Sequence, residues 1–210
     1  MSYAVKECFL TLQGEGMQSG SRAVFLRFAG CNLWSGREPD RASAQCTFCD
    51  TDFVGTDGEG GGKFASAEEL AAHVEGLWGG GSENKLVVIT GGEPMLQLDS
   101  PLVDSLHARG FRIAAETNGT LPATPGLDWI CVSPKAGTDV VQRSGDELKL
   151  VWPQEGIDPA ELEGWAFDHF LVQPMDCERR EEAVDAAIRL AMERPKWRLS
   201  LQAHKVVGLA

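Results

Sequence analysis

The sequence predicts an α/β fold in which a parallel sheet curls toward a barrel without completing it. Strand-like runs alternate along the chain with gaps of helix length. The connection from Asn118 to Asp128 holds Pro122 and Pro125 and leaves no room for a crossover helix. The chain, at 210 residues, is also shorter than the roughly 250 residues usual for a complete eightfold barrel.

In order, the strand-like runs are Val5–Leu12, Val24–Ala29, Leu86–Thr90, Arg112–Thr117, Trp129–Val132, Leu148–Trp152, His169–Gln173 and Leu199–Lys205. Ser66 followed by Glu69 reads as a capping box that opens a helix over Ala67–Leu77. Met95–Arg109 reads as a second helix, stopped by Gly110. Asp176 is placed to cap a third, which ends before Pro195. The expected architecture is an incomplete, TIM-like parallel β/α barrel with reduced helices, and residues 1–210 read as one domain without repeat or linker. In such a barrel the site lies at the C-terminal ends of the strands, where many of the chain's polar residues fall.

Composition narrows the function. A hydrophobic content of 43% provides for a packed interior, while a net charge of −12 disfavours nucleic acid, whose binding needs clustered Lys and Arg. No run approaches the roughly 20 apolar residues of a membrane span, and a cytoplasmic setting, where thiols stay reduced, is expected. The acidic stretch Asp176–Glu193 reads as an amphipathic helix with a solvated face. Cys8, Cys131 and Cys177 lie in or beside apolar runs and read as core residues.

The other three cysteines carry the chemistry. Cys31, Cys46 and Cys49 follow an apolar strand in the pattern G-C-N-L-W-x11-C-T-F-C-D. Three thiolates hold three irons of a four-iron cluster and leave the fourth open to a ligand. The alternative is a zinc-binding module completed by a distant Cys131, Cys177 or His204. A second motif, Thr90-Gly91-Gly92-Glu93-Pro94, stands where a strand hands over to a helix. Its glycines permit close approach to bare backbone, and Glu93 is an acceptor for an amine, although Gly-Gly-x-Pro is also ordinary turn chemistry.

Together the motifs resemble the radical S-adenosylmethionine (SAM) superfamily, in which three cysteines bind a 4Fe-4S cluster and a Gly-Gly-Glu-Pro segment holds the SAM amino group. The fourteen residues between Cys31 and Cys46 depart from the usual C-x3-C-x2-C spacing. That widened gap, with Leu12-Gln13-Gly14-Glu15-Gly16 and Cys49-Asp50-Thr51, resembles the 7-carboxy-7-deazaguanine synthase family. The resemblance implies a lyase of queuosine and related deazapurine biosynthesis. Such an enzyme contracts 6-carboxy-5,6,7,8-tetrahydropterin to 7-carboxy-7-deazaguanine with loss of ammonia, using a 5′-deoxyadenosyl radical and regenerating SAM.

By the same resemblance, Phe48, Cys49 and Asp50, Gly92 and Glu93, Ser133, Pro134 and Lys135, and Gln173, Pro174, Met175 and Asp176 contact SAM. Leu12, Gln13, Gly14, Glu15, Arg27, Thr90, Glu116, Asn118, His204 and the terminal Ala210 contact the pterin, Arg27 by clamping its carboxylate. Thr51 matches a Mg2+ ligand. Taken singly, Lys135 reads as a solvated loop lysine, Gln173 as a strand-end amide, Thr51 as a turn former and Asn118-Gly119 as a turn. The cofactor carries the hard chemistry, so no residue is singled out as a proton-transfer catalyst. The resemblance further implies a homodimer and a reducing partner such as flavodoxin. A small radical SAM activase acting on a protein partner is the rival enzyme class.

Overall fold

Val, Ile, Leu and Phe in short runs bury best as pleated strands, whose side chains alternate between two faces. In the computed structural model, which describes residues 2–209, these runs form β1 (Tyr3–Leu12), β2 (Arg22–Phe28), β3 (Gly62–Phe64), β4 (Leu86–Gly91), β5 (Arg112–Thr117), β6 (Trp129–Val132), β7 (Ser144–Trp152), β8 (Ala166–Pro174) and β9 (Trp197–Leu199). They join one sheet in the order β3-β1-β2-β4-β5-β6-β7-β8-β9. β1 runs antiparallel to β2 and β3, and every neighbouring pair from β2 to β9 is parallel. The sheet stays open, as an incomplete barrel must.

The α-helices of the described residues are α1 (Ala67–Trp78), α2 (Ser100–His107), α3 (Pro159–Leu162), α4 (Arg180–Glu193) and α5 (Ala203–Val207), of which α1, α2 and α4 pack on the outer face of the sheet and α5 lies at the cleft. Val87 and Ile89 of β4 and Ile113 and Ala115 of β5 pack outward with Leu70 and Val74 of α1 and Leu102 and Leu106 of α2. Leu148 and Leu150 of β7 pack outward with Ala187 and Leu190 of α4. The alternate positions turn inward. Leu86, Val88 and Ala114 form a small apolar base with Ala23, and farther along the same face come Thr90, Glu116 and Lys149. The period of two that builds the core therefore also aims polar groups at the concave side.

Ser66 caps α1, its Oγ accepting from Glu69 N at 3.2 Å, while Glu69 Oε2 accepts from Ala65 N at 2.7 Å. The 118–128 connection contains no helix, as its prolines require. Four expectations need correction. The helix expected over Met95–Arg109 is a 3-10 turn, Pro94–Leu96, followed by α2, because Asp99 accepts from Leu102 N and starts a new helix with Pro101 in its first turn. Asp176 does not cap α4; Arg179 occupies the cap, and Asp176 is ion-paired with Lys205 instead. The last run is not a strand to Lys205: after Ser200 N donates to Val172 O the chain leaves the sheet, and Ala203 N donates to Gly14 O as α5 begins. Finally, Cys8 and Cys131 are buried but Cys177, in the loop beyond β8, is exposed.

Candidate active site

A cleft of about 420 Å³ opens at the C-terminal ends of the parallel strands, within the size range of ligand sites. Its rim is the cysteine loop that follows β2. Gly30 N donates to Phe53 O and Gly30 O accepts from Glu93 N, so both ends of the loop are tied to neighbouring backbone. Across the widened gap Arg41 lies over the Trp34 ring at 4.0 Å and donates to the carbonyls of Thr47 and Cys49. One guanidinium thus holds the Cys46–Cys49 segment against the inserted residues. Burial pushes the Cys31 and Cys46 thiols up in pKa, and the Lys135 ammonium works in the opposite direction on Cys46.

The glycines of the second motif do more than admit a ligand. A Cβ on Gly92 would stand 2.3 Å from Gly30 O and 2.5 Å from Cys31 Cβ, and one on Gly91 would stand 2.6 Å from Phe28 O. They let β4 pass directly beneath the start of the cysteine loop. Glu93 departs from its expected place on the SAM amine. It is fully buried and does not line the cleft; its Oε1 accepts from Thr117 Oγ1 at 2.7 Å and Met95 N at 3.0 Å, and its Oε2 from Asn118 N at 2.8 Å. Burial pushes the Glu93 carboxyl up in pKa, and those donors offset the shift only in part.

Around the rest of the rim the structure brings most of the expected SAM contacts together. Phe48, Cys49 and Asp50 of the loop face Ser133 and Lys135 after β6, and Gln173 to Asp176 at the end of β8. Lys135 Nζ donates to Ser133 Oγ at 2.7 Å and stands 5.8 Å from the Phe48 ring centre. Pro134 lies off the cleft, its carbonyl accepting from Gln154 Nε2.

Below them, Leu12, Gln13, Gly14, Glu15, Arg27, Thr90, Glu116, Asn118 and His204 line the same cleft. Arg27 gives its Nε to Glu7 Oε1 at 2.7 Å, and among the described residues its two terminal nitrogens have no acceptor, which leaves them for a carboxylate. Asn118 is partly spent on its turn, with Nδ2 donating to Asn32 Oδ1 and Oδ1 accepting from Thr120. His204 arrives on α5 rather than from a strand end, and sits so tightly on Gly14 that a Cβ there would meet Nδ1 at 2.1 Å. Thr51 is on the cleft wall. Ala210 lies outside the described residues.

Sequence reasoning missed several wall residues. Lys149 of β7 is 4% exposed and donates to Glu15 Oε2 at 2.6 Å and Glu116 Oε1 at 3.3 Å. Lys205 of α5 pairs with Asp50 at 2.7 Å and Asp176 at 2.5 Å, while Gln202 Nε2 reaches Glu15 and Asp50. The signal for Lys149 was present: in Asp146-Glu-Leu-Lys-Leu-Val-Trp152 charge alternates with apolar residues inside a strand. Lys205 carried none, because its partners are distant in sequence.

The donor set fits a cluster better than a zinc ion. Among the described residues no three His, Cys, Asp or Glu side chains gather as ligands about one ion, which a zinc site needs. A four-iron cluster places each thiolate on a different iron, so its three cysteines need not converge on a point. Cys31, Cys46 and Cys49 belong to one loop and are close enough for their charges to act on one another.

Comparison with known proteins agrees with this reading. Residues 40–147 match the family model described as the Radical SAM superfamily, beginning inside the widened loop between Cys31 and Cys46. A 7-carboxy-7-deazaguanine synthase of Caulobacter vibrioides is 62% identical over 209 residues, covering all of both chains, and one of Bordetella pertussis is 58% identical with the same coverage. The crystal structure of QueE from Escherichia coli superposes with a TM-score of 0.72 at 30% identity, over 97% of this chain and 95% of that one.

Proposed function

The chain belongs to the 7-carboxy-7-deazaguanine synthase family of radical SAM enzymes, and from that membership we propose how its own residues serve the reaction. It is a radical SAM lyase of the queuosine pathway, with a 4Fe-4S cluster and SAM as its cofactors and a 6-carboxytetrahydropterin as substrate. When bound, the cluster and SAM supply an electron and a carbon radical that takes hydrogen from the pterin.

Cys31, Cys46 and Cys49 hold the cluster, and the other residues bind and orient. Ser133, Lys135 and the Gln173–Asp176 segment receive the ribose and methionyl parts of SAM opposite Phe48, with Gly92 leaving backbone open to it and the cleft wall at Asp50 beside it. Arg27 takes the pterin carboxylate on its two free nitrogens. Gln13, Glu15, Thr90 and Glu116 present acceptors to the amino and ring N–H edge, and His204 closes the cleft from α5. Glu93 acts from beneath, through the turn it ties to Thr117 and Asn118. A Mg2+ held by the Thr51 hydroxyl and the substrate carboxylate is supported by Thr51 lining the same cleft as Arg27.

The 3-10 turn Glu38–Ser43 buries none of its residues and carries the cysteine loop to the surface, which supports electron delivery there by a small reducing protein such as flavodoxin. Exposed Leu199, Leu201, Val206 and Val207 support a homodimer. Residues 1–210 are taken as one catalytic domain acting in the cytoplasm, where reduced thiols persist.

The observation that carries this reading is the meeting of the cysteine loop and the acceptor wall Glu15–Glu116 in one cleft. Anaerobic reconstitution with iron and sulfide, followed by incubation with SAM, a reductant and 6-carboxy-5,6,7,8-tetrahydropterin, is expected to yield 7-carboxy-7-deazaguanine. An iron-loaded protein that cleaves SAM but leaves the pterin unchanged would overturn the substrate assignment.

A further inference from the structure

The cleft floor contains a buried cation that recognition of a pterin does not by itself call for. Lys149 extends from β7 at an inward position between the outward Leu148 and Leu150, and its side chain is 5% exposed. Its ammonium meets Glu15 Oε2 at 2.6 Å and Glu116 Oε1 at 3.3 Å. Glu116 Oε1 also accepts from Gln13 Nε2 at 3.0 Å, and Gln13 Oε1 accepts from Glu15 N at 3.0 Å. Glu15 Oε1 accepts from Gln202 Nε2 at 2.9 Å. Among the described residues Glu116 Oε2 has no hydrogen-bond donor, and Glu116 lines the cleft.

Resting on the function proposed above, we infer that Lys149 is a positioning residue for the pterin: its ammonium bridges Glu15 and Glu116, and so fixes Glu116 Oε2 as an acceptor for the ring's N–H edge. The argument is one of charge and direction. Two carboxylates on a largely buried wall repel, and with no cation between them one would take a proton or turn away. A Glu116 turned away would leave the ring's N–H donors without their acceptor, a costly mismatch in a largely buried site. With Lys149 in place, Glu15 is held well below the ordinary carboxylate range, the ammonium outweighing the burial that works the other way. Gln13 closes the circuit by joining the backbone of the Glu15 loop to Glu116, so one ammonium sets the geometry of the loop after β1, of β5 and of β7 together.

The test compares two ligands in reconstituted holoenzyme. Lys149→Met is expected to raise the KM for 6-carboxy-5,6,7,8-tetrahydropterin at least about tenfold, and to weaken binding of unreactive 6-carboxypterin in parallel, while SAM affinity changes less than about threefold. Lys149→Arg, which keeps the charge, is expected to recover most of that loss. Unchanged pterin affinity in Lys149→Met, equal losses for pterin and SAM, or a fall in kcat alone would overturn the inference. So would an Arg variant as poor as the Met variant. Should Lys149→Met not fold, Lys149→Gln, which keeps a polar donor without the charge and leaves both carboxylates in place, is read in the same way, with the same pterin-selective loss expected and the same results overturning the inference. Wild-type protein that binds SAM but neither pterin would instead sink the assigned substrate, so the two failures are separable.

Discussion

The rim and the floor of the cleft are built by different means. At the rim a contiguous loop is held by backbone: Gly30 bonds to Phe53 and Glu93, and Gly91 and Gly92 have no side chain because Phe28 O and Gly30 O occupy that space. On the floor, single side chains from the loop after β1, from β5 and from β7 meet through charge, with Lys149 at the centre. A site made of backbone contacts leaves a motif in the sequence, whereas a site made of scattered side chains leaves only periodicity. The two should therefore fail differently when altered.

The largest expected effect is at the rim. Cys46→Ala removes one of three thiolates, and a cluster held by two is labile, so loss of SAM cleavage with an unchanged far-ultraviolet circular dichroism spectrum is expected. Full activity with a reconstituted cluster would show that the loop is not the cluster site. Next comes Gly92→Ala, whose new Cβ would overlap Gly30 O. Because the obstacle is backbone, relief requires the loop to move, at a cost of about 1–3 kcal/mol. A lowered Tm together with reduced iron per chain is expected; a normal iron content would mean that the close approach of β4 does not shape the loop.

Arg27→Ala moves the comparison to the floor. Its two free nitrogens are assigned to the pterin carboxylate, and loss of charged hydrogen bonds costs about 1.5–3 kcal/mol, roughly 10- to 100-fold in pterin KM, with SAM little affected. Equal losses for both ligands would show that the Glu7–Arg27 pair merely braces β1 against β2.

These differences explain what could be read in advance. The parallel strands were legible because Val, Ile and Leu run through β4 and β5 with turn residues at their ends, and Pro122 and Pro125 do exclude a helix after β5. Cys31, Cys46, Cys49 and the Gly-Gly pair were legible as spacing, and Arg27, Thr90 and Glu116 as polar residues at strand ends. Lys149 was hidden because it lies within a strand, where an inward charge looks the same as an outward one until the sheet's neighbours decide which face is concave. The end of the chain was misread for a related reason. Leu199–Lys205 has strand-like composition, but the bond from Ala203 N to Gly14 O and the packing of His204 on Gly14 turn it into a helix over the cleft. Glu93 reads as a ligand in its motif; only burial shows its carboxylate committed to Thr117, Met95 and Asn118.

The smallest effect is expected where rim and floor are joined. Lys205 of α5 spans Asp50 of the cysteine loop and Asp176 at the end of β8, and Gln202 beside it reaches both Asp50 and the Glu15 of the floor. The helix is a strap whose contacts are ionic and partly in water: the Lys205 side chain is 29% exposed and its partners 38% and 31%. Burial acts against its charge, but the hydrogen bonds to Asp176 and Asp50 prevail and raise its pKa, so the cation persists throughout the neutral range. Solvent nevertheless screens such pairs to about 0–1 kcal/mol each. Lys205→Ala is accordingly expected to lower the Tm by only a few degrees and to raise the KM for SAM about two- to fivefold, since Asp50 and Asp176 lose their common anchor. The pterin KM should move less, because Glu15 keeps Lys149. If the pterin KM rises as much as that for SAM, the strap transmits strain from rim to floor and the two halves of the cleft are not energetically independent.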